Sequence, residues 1–284
     1  MTSIPFCKFH GFGNDYIVIE KEQVAAGTDL QELARAICHR HTGAGADGIA
    51  VLEELHIEGA DYFCEIVNPD GSIAGFSGNG TRCAVSYLYH RDLWNDANLR
   101  LRTRSGVKNY RLTDDTVTGT YWFEAEIGKP KFANSEVPVA TPEQMDSVID
   151  FPVTVAGREF LISGVNVGNP VACVFVDDFD PDWRTYGKAL ESHEVFPEKA
   201  NIVFVKIIDR ENIEIRIWER AAGETSSSGT CSTGAAILSA FTDRAGRSVS
   251  VHAEGGITNV VWRDDDEMVI TGRADLAYSG EWPL

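Results

Sequence analysis

Two short stretches of this 284-residue chain resemble each other, and they constrain its fold more than any other feature. They are residues 77–84 and 228–236, and each begins with Ser-Gly in a loop of small polar residues. Each loop leads into a segment whose apolar residues have helical spacing. A small-residue loop that enters a helix leaves backbone N–H groups free at the positive end of the helix dipole, where anions bind. The sequence therefore predicts two anion sites, each with a serine hydroxyl at its mouth.

Four landmarks occur in the same order in the two halves of the chain. Each lies at the start or the end of a segment that reads as a strand or a helix, and the pairs are Asn14 with Asn169, Gly48 with Asn201, Asn68 with Glu219, and Ser77 with Ser228. The residue numbers within the pairs differ by 155, 153, 151 and 151. So small a drift over four ordered pairs indicates an ancient duplication. We expect two structurally similar halves related by a pseudo-two-fold axis, with a ligand in the cleft between them.

Apolar periodicity predicts an α/β (α+β) fold, because segments with helical spacing follow segments that alternate like strands. Asp29 is a candidate N-cap, and the helix that follows it should end near His41. The helices that follow the two serine loops should end near Leu93 and Arg244. Both halves are therefore expected to carry similar elements in the same order.

A break in the pattern at residues 128–130 marks the expected boundary between the halves. These residues are Gly-Lys-Pro, which the interior of a strand or a helix disfavours. Residues 268–272 are expected to form the last short strand of a meander. We assign residues 1–128 to the N-terminal half, together with a last strand at 274–284, and residues 129–273 to the C-terminal half.

The charge and the cysteines limit the partners of the chain. It carries 43 acidic and 25 basic residues and a formal net charge of −18, so its surface repels nucleic acid and anionic membranes. Its six cysteines follow no disulfide spacing, and no stretch reaches the roughly 20 apolar residues that a membrane-spanning helix needs. We expect a cytoplasmic protein with free thiols that binds neither nucleic acid nor membrane, and whose ligand is a small molecule in a local pocket.

Several ordered motifs resemble those of the diaminopimelate epimerase family, and together they span nearly the whole chain. They lie at residues 10–15, 68–72, 77–83, 168–170, 190–198, 219–225, 271–272, 278 and 280. The resemblance implies two pseudo-symmetric halves, each a curled β-sheet or barrel around a central helix. It also implies an isomerase without pyridoxal phosphate, metal or other cofactor that inverts an amino-acid α-carbon. In the family this converts LL- to meso-diaminopimelate, in the pathway to lysine and the cell wall.

The chain departs from the family at the residues that do the chemistry. In the family two cysteines, one per half, face opposite sides of the α-carbon, and one thiolate removes a proton while the other thiol returns one. This chain has Ser77 and Ser228 at those positions, and it has Val171 and Gly48 where the family has a histidine and a glutamine. A hydroxyl is a much weaker acid than a thiol and needs a neighbouring base to act. We therefore expect the pocket to persist with altered or lost acid–base chemistry.

The positions that match the family still describe an amino-acid site. The candidates for proton transfer are Ser77, Ser228 and Glu219, the last being the carboxylate that the resemblance puts near the second serine. Arg220 falls on the residue that pairs with the distal carboxylate of the substrate, a role that suits a planar two-pronged donor. The other substrate-binding positions are polar contacts and anion-binding turns, namely Asn14, Asn68, Asn169, Asn201, Gly78, Asn79, Gly229 and Thr230. The expected partner is an amino acid with a distal carboxylate.

Two other functions stay open on the sequence. One is a different isomerase of the same fold, in which a carboxylate such as Glu219 or Asp70 does one-base chemistry. The other is a non-catalytic protein that binds an amino acid in the old pocket. The family is often dimeric, so a homodimer is one expectation, although the sequence does not set the oligomeric state.

The candidate residues also have plain structural interpretations. Both serines fit ordinary helix N-caps, and the asparagines fit bridges between turns. Arg220 fits a structural ion pair with Glu219 or Glu224. Cys231 lies one turn beyond Ser228, so a thiol displaced along the helix is a further chemical alternative.

Overall fold

The computed structural model describes residues 3–220 and 222–283, and in this part of the chain no helix is long and apolar enough to cross a bilayer. The chain forms two compact units. One consists of Met1–Glu126 and Thr271–Leu284, and the other of Ile127–Ile270. The elements up to the division are β1 (Ser3–Gly11), β2 (Asn14–Glu20), a 3-10 turn (Lys21–Gln23), α1 (Leu30–Ile37), β3 (Ile49–Ile57), β4 (Ala60–Val67), β5 (Ile73–Ala74), α2 (Gly78–His90), β6 (Asn98–Thr103), β7 (Gly106–Asp114) and β8 (Thr120–Gly128). Those that follow are β9 (Val148–Val155), β10 (Arg158–Asn166), β11 (Pro170–Phe175), α3 (Trp183–Glu191), β12 (Asn201–Ile207), β13 (Asn212–Glu219), β14 (Gly223–Thr225), α4 (Gly229–Phe241), β15 (Ser248–Ala253), β16 (Gly256–Trp262) and β17 (Met268–Pro283).

The strands of the first unit close into a ring around one helix. They pair in the order β1, β2, β3, β4, β6, β7, β8, β17 and back to β1, with parallel pairing at β2/β3 and at β4/β6. Helix α2 packs against β1 to β4, and its residues 79–88 are all buried. A helix that is surrounded on every side has no solvated face. Its polar side chains must therefore bond within the unit, as when Ser86 Oγ donates to Arg82 O at 3.0 Å.

The second unit repeats this order of pairings. Strands β10, β11, β12, β13, β15 and β16 pair in turn, with parallel pairing at β11/β12 and at β13/β15, and β9 adds to β10. Helix α4 packs against strands of this sheet, and its residues 230–239 are all buried. Each parallel pair has a counterpart in the first unit. The expected fold, in which each half is a curled sheet around a central helix, is therefore confirmed, while the two-fold axis stays a prediction.

The two central helices have the same length and the same kind of end. Both span 13 residues, α2 from 78 to 90 and α4 from 229 to 241. Asp92 and Asp243 each have a φ of 55°, and beyond the first of them Leu93 N donates back to Leu88 O at 2.9 Å. A left-handed residue just past the last turn stops a helix. The expected ends near Leu93 and Arg244 are therefore wrong by three residues.

Helix α1 also ends earlier than the sequence predicts. Asp29 is its N-cap, and the Asp29 side chain accepts hydrogen bonds from the first turn, but the helix ends at Ile37 rather than near His41. The following segment folds back on the last turn, since Gly45 N donates to Ile37 O at 3.0 Å and Ala46 N donates to Cys38 O at 3.1 Å. These bonds satisfy carbonyl groups that a longer helix would have used.

Strands β9 and β17 both differ from expectation. The sequence predicts separate pieces at 268–272 and 274–284, whereas β17 is continuous and contributes its first residues to one unit and the rest to the other. Strand β9 was not predicted, because Pro152 inside it removes a donor and reads as a break. In the structure Pro152 pairs with Leu161 of β10. Proline is thus accommodated in this ladder.

A buried arginine in the first unit explains a glycine far along the chain. Only 4% of Arg82 is exposed, its Nη2 donates to Asn79 Oδ1, and its guanidinium lies 5.8 Å from the centroid of the Phe12 ring. An ideal Cβ on Gly272 would overlap Arg82 Nη1. The Thr-Gly motif at 271–272 therefore reflects a close approach of the β17 backbone to this side chain.

The change Gly272→Ala should lower the free energy of unfolding by about 1–3 kcal/mol, because the guanidinium would have to move inside a packed unit. Urea-induced unfolding measures the loss. The control is the same change in an Arg82→Met background, which shortens the obstructing side chain, so that the cost of Gly272→Ala should fall by more than half. An equal cost in both backgrounds would show that the guanidinium is not the obstacle.

Candidate active site

Ser77 is the N-cap of α2. Its backbone is extended, with φ −137° and ψ 119°, and its Oγ accepts a hydrogen bond from Gly80 N at 3.1 Å. The Tyr16 hydroxyl of β2 lies 2.9 Å from the same oxygen, and Tyr16 is 6% exposed. The N-cap interpretation therefore describes the backbone here, but the hydroxyl has a second partner. Nothing in the sequence points to this contact, because Tyr16 lies among apolar strand residues and has the pattern of a core residue.

Ser228 is the N-cap of α4, and a carboxylate holds its hydroxyl. Its Oγ donates to Glu219 Oε2 at 2.9 Å, and it lies 3.5 Å from Cys231 N, which donates to it. Glu219 is the last residue of β13, and its Oε1 accepts a hydrogen bond from Thr225 Oγ1 at 2.8 Å. The structure thus brings together two of the three residues that the sequence proposes for proton transfer.

The first turns of the central helices carry amides that their own caps do not reach. In α2 the caps bind the amides of Gly80 and Thr81, and α4 repeats this at Cys231 and Ser232. Within residues 3–220 and 222–283, no hydrogen-bond acceptor lies at the amides of the preceding positions, which are Gly78, Asn79, Gly229 and Thr230. These four are the residues expected to form the anion-binding turns. Each unit therefore presents two backbone donors beside a serine hydroxyl.

The side chains of Asn14 and Asn79 belong to an internal network of the first unit. Arg82 donates to Asn79 Oδ1, Asn79 Nδ2 donates to Asn14 Oδ1 at 3.2 Å, and Asn14 Nδ2 donates to Asp47 Oδ2 at 2.8 Å. Asp47 in turn pairs with Arg40 at 2.6 Å. Both asparagines therefore bridge elements, as the structural interpretation expects, and their amides are oriented by this chain of donors.

Asn68 and Asp70 lie in the turn that follows β4. Asn68 Nδ2 donates to Ser72 Oγ at 2.9 Å, and the Ser72 amide and hydroxyl both donate to Asp70 Oδ1, at 2.8 and 2.6 Å. These hydrogen bonds from Ser72 lower the pKa of the Asp70 carboxyl. Asp70 is therefore an ionised, exposed carboxylate that organises its own turn.

Arg220 is exposed and is surrounded by neutral oxygen atoms of the second unit. Its Nη2 donates to Asn169 Oδ1 at 3.3 Å and its Nη1 to Glu198 O at 3.1 Å. Its backbone amide donates to Asn201 Oδ1 at 3.0 Å, and Asn201 Nδ2 donates to Pro170 O at 2.9 Å. Three of the predicted site residues therefore form one cluster.

The proposed ion pair of Arg220 with Glu219 or Glu224 is wrong. Glu224 pairs with Arg184 at 2.6 Å, and hydroxyl groups bond both oxygens of Glu219. Arg220 itself forms no ion pair within the described part of the chain. Its guanidinium thus retains an uncompensated positive charge at the surface, where a carboxylate can approach it.

Close packing surrounds Val171 and Gly48, the two positions at which the resemblance implies a histidine and a glutamine. A Cβ on Gly48 would lie 2.7 Å from the Tyr16 ring and 3.0 Å from Val67 O. Val171 has no exposed surface, and a Cβ on Gly234 would lie 2.8 Å from it. Neither position therefore offers an acid or a base.

All six cysteines are buried and unpaired. Burial raises the pKa of Cys83 to about 12, and it raises the pKa of Cys231 well above its usual value, with the charge of Glu219 adding to the effect. Because the thiolate is the reactive form, these thiols are inert near neutral pH. No group of three or more His, Cys, Asp or Glu side chains in the described ranges is arranged to hold a metal ion.

The chain matches the family model described as diaminopimelate epimerase over residues 6–132 and 163–277. It is 37% identical to the diaminopimelate epimerase of Caldanaerobacter subterraneus subsp. tengcongensis over 277 residues, which cover 97% of this chain and 98% of the relative. It is 35% identical to the diaminopimelate epimerase of Pelotomaculum thermopropionicum, with 98% of each chain covered.

Solved structures of other proteins share the fold. A probable proline racemase from Agrobacterium radiobacter K84 matches with a TM-score of 0.72 and 14% identity, covering 99% of this chain and 93% of the other. A hydroxyproline epimerase from Agrobacterium vitis matches with a TM-score of 0.71 and 14% identity, covering 99% and 91%. At this identity the likeness concerns the fold alone.

In the native protein at pH 8, we expect no thiol to react with Ellman's reagent, because all of them are buried and protonated; after unfolding in guanidinium all six should react. Ser226→Cys is the matched control, since it puts a thiol on an exposed residue two positions before Ser228 and should add one reactive group. A native thiol whose reaction disappears in Cys231→Ser would instead support the displaced-thiol alternative.

Proposed function

The chain belongs to the diaminopimelate epimerase family and is an isomerase, and on that premise we propose that it inverts an α-carbon of diaminopimelate between the LL and meso isomers. The observation that carries the proposal is the start of each central helix, where a serine hydroxyl lies beside two backbone amides without an acceptor among the described residues. The relatives favour neither a different one-base isomerase nor a non-catalytic binding protein.

The helix starts suit the charge that the reaction develops. Removal of an α-proton leaves a carbanion whose charge spreads onto the adjacent carboxylate. Fixed N–H groups at a helix N-terminus stabilise such an anion without having to reorganise. We assign the amides of Gly78, Asn79, Gly229 and Thr230 to the α-carboxylate for this reason.

Ser228 and Glu219 form the pair best suited to remove a proton. Ser228 Oγ takes the α-proton while its own hydrogen passes to Glu219 Oε2, 2.9 Å away, and the electrons of the C–H bond stay on the substrate. A hydroxyl acts as a base only with such a partner, because its own basic form is scarce. Ser77 then returns a proton to the carbanion, so one proton is lost and one is gained. That the two serines serve opposite faces of one carbon stays a prediction.

Arg220 is the proposed contact for the distal carboxylate. Its guanidinium is exposed and forms no ion pair within the described residues, and its hydrogen bond to Asn169 already orients it. A planar donor of this kind can bind a carboxylate through two parallel hydrogen bonds. Asn68 and Asn201 complete the proposed polar surroundings of the substrate, although Asn201 uses both ends of its amide within the unit.

The proposed setting is the pathway to lysine and the cell wall in the cytoplasm. Membership of the family supports the pathway. The six unpaired thiols support the cytoplasm, because they suit a reducing compartment. The proposed substrate is a small amino acid, which agrees with a chain whose net charge of −18 disfavours the binding of polyanions.

We expect the protein to interconvert LL- and meso-diaminopimelate in deuterated water with incorporation of deuterium at the inverted α-carbon. Glu219→Gln should lower kcat by about 10²- to 10⁴-fold, the usual contribution of a general base, with a smaller change in KM. Glu224→Gln is the matched control, because this neighbouring carboxylate pairs with Arg184 and should leave the rate within about threefold. Binding of the substrate without any exchange would contradict the proposal.

The double variant Ser77→Cys, Ser228→Cys should invert diaminopimelate at least about tenfold faster than the natural chain. A thiol has a reference pKa near 8.5, so its basic form is far more abundant at pH 8 than that of a hydroxyl. Ser227→Cys, at a buried neighbouring position, is the control and should bring no gain. If the double variant also gained nothing, the hydroxyls would not be what limits the rate.

A further inference from the structure

We propose, resting on the function above, that Tyr16 is a positioning residue that acts through Ser77. It donates its phenol hydrogen to Ser77 Oγ and so makes Ser77 the proton donor of the reaction, while Glu219 makes Ser228 the acceptor. The duplicated halves would then do different jobs, and the side chain beside each serine would decide which.

The hydrogen-bond direction at Ser228 is fixed by its partner. A carboxylate accepts hydrogen bonds and has none to give when ionised. The Ser228 hydrogen is therefore committed to Glu219 Oε2 at 2.9 Å. The amide of Cys231 and the hydroxyl of Thr230 contribute only long contacts, at 3.5 and 3.4 Å, so Ser228 Oγ keeps electron density for an incoming proton. Ser228 is therefore arranged to accept a proton.

The surroundings of Ser77 are the reverse. Within the described residues its Oγ has two partners, the Gly80 amide at 3.1 Å, which can only donate, and the Tyr16 hydroxyl at 2.9 Å. Either hydroxyl could donate across the second contact, but a phenol is a stronger acid than an aliphatic alcohol and is the better donor of such a pair. With two donors aimed at its oxygen, the Ser77 hydrogen is left to point at a substrate. Ser77 is therefore arranged to donate a proton.

Packing holds the Tyr16 ring in one place. A Cβ on Gly48 would lie 2.7 Å from the ring, and a Cβ on Gly80 would lie 2.9 Å from it. Two glycines thus leave the space that the ring fills. The packing needs only the ring, however, and phenylalanine would satisfy it. The hydroxyl is therefore the part of Tyr16 that the packing does not explain.

The proton balance closes through these two partners. When Ser77 gives its hydrogen to the carbanion, Tyr16 passes its own hydrogen to Ser77 and becomes a phenolate. At the other serine, Glu219 has become a carboxylic acid. One proton has thus left the substrate and one has entered it. The resting state returns when the phenolate gains a proton from water and the acid loses one to it.

The test separates exchange from inversion in deuterated water, for both isomers and with the full chain. Tyr16→Phe keeps the ring and should lower inversion by about 100-fold or more. It should still exchange the α-hydrogen of the isomer that Ser228 deprotonates, because that half of the reaction does not use Tyr16. Glu219→Gln should lose exchange of this same isomer. Substitution of a residue that only supported the fold would instead lower α-hydrogen exchange and inversion together.

Tyr110→Phe is the matched control. It removes another buried phenol that bonds a hydroxyl of the same helix, since Tyr110 OH lies 2.6 Å from Thr81 Oγ1. Its inversion rate should stay within about threefold of the natural chain. Ser77→Ala tests the same proton-donating half of the reaction without changing the Tyr16 ring. It should retain exchange of the isomer that Ser228 deprotonates and lose inversion, which keeps the test valid if Tyr16→Phe folds poorly.

Three results would overturn the inference. Inversion by Tyr16→Phe within about threefold of the natural chain would remove Tyr16 from the reaction and leave the proposed function intact. Loss of exchange for both isomers in Ser77→Ala would show that the serines do not divide the work. A natural chain that neither inverts nor exchanges diaminopimelate would overturn the proposed function, and this inference with it.

Discussion

The structure depends on how a fully enclosed helix satisfies the amides of its first turn. Helices α2 and α4 are buried over residues 79–88 and 230–239, and at their N-terminal ends only Gly78 and Gly229 are partly exposed. A serine at each N-cap satisfies part of the requirement and leaves the first two amides for something else. Amide donors without a partner among the described residues are thus a consequence of enclosing a helix in a curled sheet, and they occur twice because the order of strand pairing is repeated.

Two units with similar backbones surround their N-cap serines with different side chains. The pairing order of the strands, the helix lengths and the left-handed aspartates at 92 and 243 are alike in the two units. The partners of the serines are not, since Tyr16 comes from β2, the second strand of its unit, and Glu219 from the end of β13. Backbone geometry thus sets where the hydroxyls lie, and side chains from other elements set what they can do.

Local signals in the sequence predicted the two similar halves and both N-cap serines, and the family resemblance implied the curled sheets and the closeness of Glu219 to Ser228. Features that depend on distant contacts could not be read this way. Tyr16 has the pattern of a core strand residue, and only the fold shows its hydroxyl beside Ser77. The helix ends depend on aspartates in a conformation that this residue type adopts only occasionally. The network through Asn79 depends on Arg82, whose space is left by Gly272 in another part of the chain.

The last strand sets an order of events during synthesis. The ring of the first unit closes only when β17 inserts between β8 and β1, which pairs Ser3 with Pro283. The residues of the second unit end at Ile270. On the ribosome, the part that is translated later can therefore complete its core first, while the earlier part waits with an open sheet edge. Such an edge is exposed to wrong pairings, and the closing strand is at the same time what protects it.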